Sequence, residues 1–230
     1  MGTRLWLLAA LLSVPCLAAE PANTSNILWL YYAGDHAVSK RWGAHFETHY
    51  RFDVPDDESS LFLVRPGVNF RASKHVALTV GYAYLRSLHS QAGGTKTVGT
   101  EHRAYEEARI RHRASKLTIR HRLRLEERGF RQGRKDELRA RYLLQGEYPL
   151  GQSRYYLVGS EEILFNVGAN AQQNALNQNR IYGGIGIKTG GDGAFGMGYI
   201  YTQIPAPPGS PGATTHTLRV FWATRHPFRH

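Results

Sequence analysis

An antiparallel β-barrel that crosses a membrane is the architecture this sequence predicts, on three observations. Apolar and polar residues alternate with period two along most of the chain, the polar parity is dominated by Arg and Glu, and no apolar run beyond the first twenty positions reaches the length of a spanning helix. The 230 residues carry a net charge of +11, a single Cys and 24 Gly. A mean hydropathy of -0.42 fits a barrel, because a barrel wall displays its apolar side chains only at every second residue. One Cys excludes a disulfide scaffold.

Residues 1–19 read as a secretory signal peptide. Arg4 precedes an apolar stretch from Leu5 to Val14, Pro15 breaks it, and Cys16, Ala18 and Ala19 supply small residues at the cleavage region. Its removal takes away Arg4 and the only Cys, so the mature chain is thiol-free and its charge falls from +11 to +10. The rest divides into an N-terminal segment with a short strand (20–40), a barrel (41–224) and a C-terminal tail (225–230).

The strands follow from the alternation. Trp42, Ala44, Phe46, Thr48, Tyr50 and Phe52 share one parity and His45, Glu47, His49 and Arg51 the other. A pleated strand sends these sets to opposite faces. Phe62 to Phe70 and Val76 to Tyr84 repeat the pattern, and Leu117 to Leu125 set apolar residues against Arg120, Arg122 and Arg124. Arg109, Arg111 and Arg113, and then Arg139, Arg141, Gln145 and Glu147, do the same. Later runs are Tyr155 to Leu164, Arg180 to Lys188, Ala194 to Gln203 and Thr215 to Thr224. This predicts ten strands from Arg41 onward, with twelve as the alternative if the segment 27–33 joins the wall, because single-chain bacterial barrels have even counts. Short connections at 72–75, 114–115, 149–153 and 189–193 alternate with longer ones at 53–60, 87–101, 129–135, 165–178 and 204–214. Such alternation predicts short periplasmic turns and longer extracellular loops. An Arg-rich face in the dry core of a soluble sandwich would carry a prohibitive desolvation cost, which a wet lumen removes.

The stretches Glu101-His102-Arg103, Arg120 to Arg128, Arg139 to Tyr148, Ser160 to Asn166 and Asn177 to Gly186 resemble the bacterial outer-membrane family catalogued as domain of unknown function 2490. The resemblance covers almost the whole mature chain. It implies an outer-membrane barrel and carries over no catalytic residue. The chain departs from barrel custom at its end, where Phe228 is followed by Arg229 and His230.

The candidate site is a lumen ion-pair network of Glu107, Arg109, Arg111, Arg120, Arg122, Arg124, Glu126, Arg139, Arg141, Glu147, Glu161 and Arg180. Two readings of it stand: an anion-leaning pore, or a narrow barrel filled with ion pairs. His45, Glu47 and His49 share a face, but two His four residues apart on a strand lie ~13 Å from each other, which argues for lumen wall over metal site. His121 falls on the apolar parity, predicting either a protein contact or a parity error there. Trp29, Trp42, Tyr50, Phe52, Tyr84, Tyr148 and Trp222 are candidates for interfacial girdles. Ser87, His89 and Ser90 in the expected loop 87–101 are the candidates for nucleophilic chemistry, without a recognisable orienting acid. No zinc spacing, phosphate loop or cofactor motif occurs, so neither metal nor cofactor is expected. The function read from the sequence is a non-enzymatic structural barrel or narrow pore in the Gram-negative outer membrane. Its expected partners are membrane lipid, lipopolysaccharide and small anionic solutes, and no nucleic acid. The alternative is an outer-membrane hydrolase acting on lipid or lipopolysaccharide.

Overall fold

The computed structural model describes residues 23–54, 59–90, 95–131, 136–168, 171, 174–206 and 210–226. The expected leader at 1–19 and Phe228 in the expected tail lie outside the described residues. The chain forms β1 (Asn23–Ala37), β2 (Trp42–Asp53), β3 (Ser59–Arg71), β4 (Val76–Ser90), β5 (Lys96–Ala114), β6 (Leu117–Phe130), β7 (Glu137–Pro149), β8 (Tyr155–Val167), β9 (Leu176–Thr189), β10 (Gly193–Ile204) and β11 (Ala213–His226). Each pairs antiparallel with the next, and β1 pairs with β11 to close the barrel.

Among the described residues the count is eleven, where the sequence predicts ten with twelve in reserve. Neighbouring strands in the meander alternate direction, so an odd number leaves first and last pointing the same way. The closing pair is accordingly parallel, in register from Asn23↔Ala213 to His36↔His226. The segment placed outside the wall is thus a full wall strand, and the barrel begins at Asn23 rather than at 41. Strands also run further than the alternation suggests: β4 reaches Ser90 and β5 starts at Lys96, so Ser87, His89 and Ser90 lie on a strand and not in a loop.

Why eleven segments make strands with these faces is visible in β2 and β6. Along β2, His45, Glu47 and His49 are buried inside while Trp42, Phe46 and Tyr50 are exposed on the outside. Along β6, Arg124 and Glu126 are buried and Leu123 and Leu125 exposed. Apolar side chains stand on the outside of every strand, with Val80, Leu123, Met197 and Trp222 about half exposed (58%, 51%, 49% and 54%), and Glu106, His121 and Glu161 interrupt them. Trp42, Tyr50, Tyr148 and Trp222 belong to that surface, but Trp29 is only 7% exposed and points inward.

The interior has two halves. Across β8 to β11 and β1 it is apolar, built from Trp29, Tyr156, Val158, Tyr182, Ile200 and Phe221. These rings lie flat on the inner wall because the strands beneath them carry glycine. A Cβ at Gly198 would stand 2.5 Å from the Tyr182 ring and 2.5 Å from the Gly183 carbonyl oxygen. The glycines that thin β9 and β10 therefore make room for aromatics, and the Arg219 guanidinium caps the stack 3.7 Å above Tyr182. The other half, across β2 to β8, is ionic.

Replacing Gly198 with Ala is expected to destabilise the barrel by about 1–3 kcal/mol through overpacking. Gly183→Ala, on the outer face with nothing within 4 Å of the added atom, is expected to be neutral or slightly stabilising. Urea unfolding of both variants in micelles checks the contrast.

Candidate functional site

The ionic half is built strand by strand from the inward parity. At its centre stands Glu126 on β6, fully buried. It accepts from Arg139 on β7 at 2.6 Å and from Arg141 at 2.7 Å. Arg65 on β3, Arg103 on β5 and its strand neighbour Arg124 stand at 3.7 Å. Arg124 donates to Glu107 at 2.6 Å and lies 3.5 Å from Glu47, which also pairs with Arg65. Glu162 on β8 takes Arg141 and Arg122, both at 2.6 Å, and Arg180 at 3.4 Å. Glu47, Arg65, Arg124 and Glu126 are at most 3% exposed, so this layer is dry. Tyr31 donates its hydroxyl to Glu47 at 2.8 Å and so joins the aromatic half to the ionic one.

Such a layer has to be internally balanced. An unpaired charge in a dry interior costs several kcal/mol, and only short contacts with opposite charge repay it. Arg suits the role because its planar fork serves two carboxylates at once, as Arg141 does between Glu126 and Glu162. A second cluster lies beside it: Asp35 accepts from Asn69 at 2.7 Å and Arg109 at 2.6 Å, while Thr79 donates to Asn69 at 2.6 Å.

Two cavities flank the layer, and His49, Arg65 and Arg141 line both. One, of about 580 Å³, opens at the end bearing the turns 115–116 and 190–192 and is lined by Arg111, Arg113, Lys116, Arg120, Lys188 and Arg225. The other, of about 390 Å³, opens at the opposite end and is lined by Arg51, Arg103, Arg128 and Arg180 with Leu61, Leu85 and Phe130.

Eight of the twelve residues read from the sequence meet in this network: Glu107, Arg109, Arg122, Arg124, Glu126, Arg139, Arg141 and Arg180; Arg120 and Glu147 form a separate pair at 2.7 Å nearer a mouth. Glu161 does not join it. It lies on the outer parity of β8, where Asn179 donates to it at 3.2 Å, and Glu162 occupies the inward position. Arg111 lines the larger cavity and is exposed, with no carboxylate partner among the described residues. The sequence reading passes over Asp35, Arg65, Glu101, Arg103 and Glu162. For Arg65 and Arg103 the signal was present, since both share the parity of neighbouring polar residues.

His45 and His49 do not converge on a common point. His45 Nδ1 pairs with Asp35 at 2.7 Å, whereas His49 packs against Trp29 and Tyr31 with ring centroids 5.1 and 4.8 Å away. Among the described residues no group of three His, Cys, Asp or Glu is arranged to hold a metal ion. His121 keeps its outer parity and satisfies its Nδ1 against the Tyr142 hydroxyl at 2.8 Å, stacked on His112.

The description "Protein of unknown function (DUF2490)" matches residues 26–211. The chain belongs to the DUF2490 family. Its matched region runs from β1 through β10 into the last connection and stops short of β11, so of the two strands that close the barrel it takes in β1 alone. Comparison with curated proteins finds no match. Among solved structures this DUF2490 chain is similar to LpxR from Salmonella typhimurium, at 10% identity and a TM-score of 0.48 over 81% of this chain and 84% of that one. It is also similar to the outer-membrane expressed OmpT of Vibrio cholerae, at 14% identity and a TM-score of 0.42 over 71% of this chain and 55% of that one.

Neutralising Glu126 by Gln leaves Arg139 and Arg141 facing each other in a dry site and is expected to cost about 3–5 kcal/mol of stability. The same change at Glu147, in a partly exposed pair, is expected to cost about 0–1 kcal/mol. Heat-modifiable gel mobility and urea midpoints of the two variants report the difference.

Proposed function

We propose that this protein is a non-conducting barrel of the Gram-negative outer membrane. It is exported through a cleaved leader at 1–19, its wall contacts lipid and lipopolysaccharide, and its lumen is shut at mid-height by ion pairs. The observation that carries the closed reading is the dry layer of Glu47, Arg65, Arg124 and Glu126 between the two cavities. Strands of 12 to 19 residues support the membrane reading, since about 9–11 tilted residues span a bilayer. So does the apolar outer surface. The end bearing the turns 38–41, 72–75, 115–116, 150–154 and 190–192 faces the periplasm in this reading, as short turns do in bacterial barrels. Because the closing pair is parallel, the start of β1 then lies at the outward rim and the end of β11 at the periplasmic one.

Excess Arg at both mouths favours attraction of anions over their passage. The wall and the vestibules are the working surfaces of such a barrel. In planar bilayers the folded mature chain is expected to give no discrete conductance. Glu47→Ala/Arg65→Ala, which removes a matched pair from the layer, is expected to open one. Anion-selective steps from the unaltered chain would reinstate the narrow-pore reading.

A further inference from the structure

We infer that the smaller cavity is a binding site for an amphiphilic anion, one with a phosphate or carboxylate head on a short apolar body. This goes beyond the closed-barrel reading and does not depend on it. The cavity's volume of about 390 Å³ falls within the range of small-molecule sites, about 300–1,000 Å³.

Its charged wall has donors left over. Arg51 on β2 has its guanidinium 3.6 Å above the Trp29 ring and one nitrogen 3.2 Å from His49 Nδ1. It has no carboxylate partner among the described residues, and its Nε has no hydrogen-bond partner there. A guanidinium stacked on a ring keeps its N–H edge free for a planar acceptor. Across the lumen, Arg180 on β9 donates to the Gln178 amide oxygen at 2.5 Å, and its one carboxylate among the described residues is Glu162, at 3.4 Å, which already serves Arg122 and Arg141 at 2.6 Å. Two under-neutralised guanidinium groups therefore line one small space. In the closed interior of a barrel such an excess is relieved by an anion from outside.

The surrounding wall is fixed. Glu101 holds both Arg103 and Arg128 at 2.6 Å, so those two cations are spent on the framework and need no ordering on binding. Part of the remaining wall is apolar: Leu63 and Leu85 on β3 and β4 belong to a buried cluster with Leu61 packed against it, and all three line the same cavity as Arg51. Inorganic phosphate would leave that surface unused, and a hydrocarbon would leave the Arg pair unneutralised. An anionic head with an apolar body satisfies both.

Isothermal titration of the mature chain, refolded in nonionic micelles, tests this with monohexyl phosphate and inorganic phosphate. Saturable 1:1 binding of monohexyl phosphate is expected, at least tenfold tighter than that of inorganic phosphate. It should weaken at least tenfold in Arg51→Gln/Arg180→Gln and stay unchanged in Arg111→Gln, which alters the other cavity. Arg51→Gln alone strips no carboxylate of its partner, so it reads the same loss if the double variant misfolds. Absence of saturable binding would overturn the proposal, as would full binding by a folded double variant. Equal affinity for the two phosphates would overturn the apolar half of the site.

Discussion

A carboxylate with no access to water must be matched by cations, and Glu126 is where that constraint is most severe in this barrel. It sits on β6, and the two nearest guanidinium groups come from β7 while Arg65 and Arg103 approach from β3 and β5. One side chain thus fixes the spacing of four strands. The demand propagates, because Arg65, Arg124, Arg141 and Arg103 are balanced in turn by Glu47, Glu107, Glu162 and Glu101. Lys would serve these positions less well, since its single ammonium lacks the planar fork by which Arg141 offers separate nitrogens to two carboxylates. With the polar parity committed to the interior, the other parity has only an apolar outer surface left to form.

The ionic layer covers part of the circumference, and the aromatic half completes the cross-section. Trp29, Tyr156, Tyr182 and Phe221 fill the interior from β8 round to β1, on glycine-thinned wall. Tyr31 joins the halves through its bond to Glu47 and Arg51 through the face of Trp29, while Arg219 caps Tyr182 within the aromatic half. The lumen therefore divides into two cavities with cationic linings instead of one channel. The odd strand count belongs to the same arrangement, because β1 brings Trp29 and Tyr31 to the interior only by entering the wall beside β11.

Legibility in the sequence followed the contrast between faces. On β2, β5 and β6 one parity is charged or polar and the other apolar or aromatic, and the alternation located both strand and inward side chains. On β1 both parities are apolar, Trp29, Tyr31 and Ala33 inside and Leu28, Leu30 and Tyr32 outside, so nothing in the pattern distinguished a wall strand from an appended segment. The same weakness explains β8, where the inward Tyr156, Val158 and Leu164 resemble their outward neighbours and the choice between Glu161 and Glu162 lost its anchor. Membership of the ionic half was readable from parity, but the pairing was not, since which Arg meets which Glu depends on register between strands far apart in sequence. The surplus of Arg51 was beyond reach for that reason.

The most direct test of the divided lumen uses the predicted absence of thiols from the mature chain. Ser87→Cys places a thiol in the smaller cavity and Ala194→Cys places one in the larger. In proteoliposomes of one orientation, a small charged maleimide added to the outside should label one position and spare the other, with the pattern reversed when the reagent is trapped inside. Labelling of both positions from the same side would show a continuous passage and contradict the account.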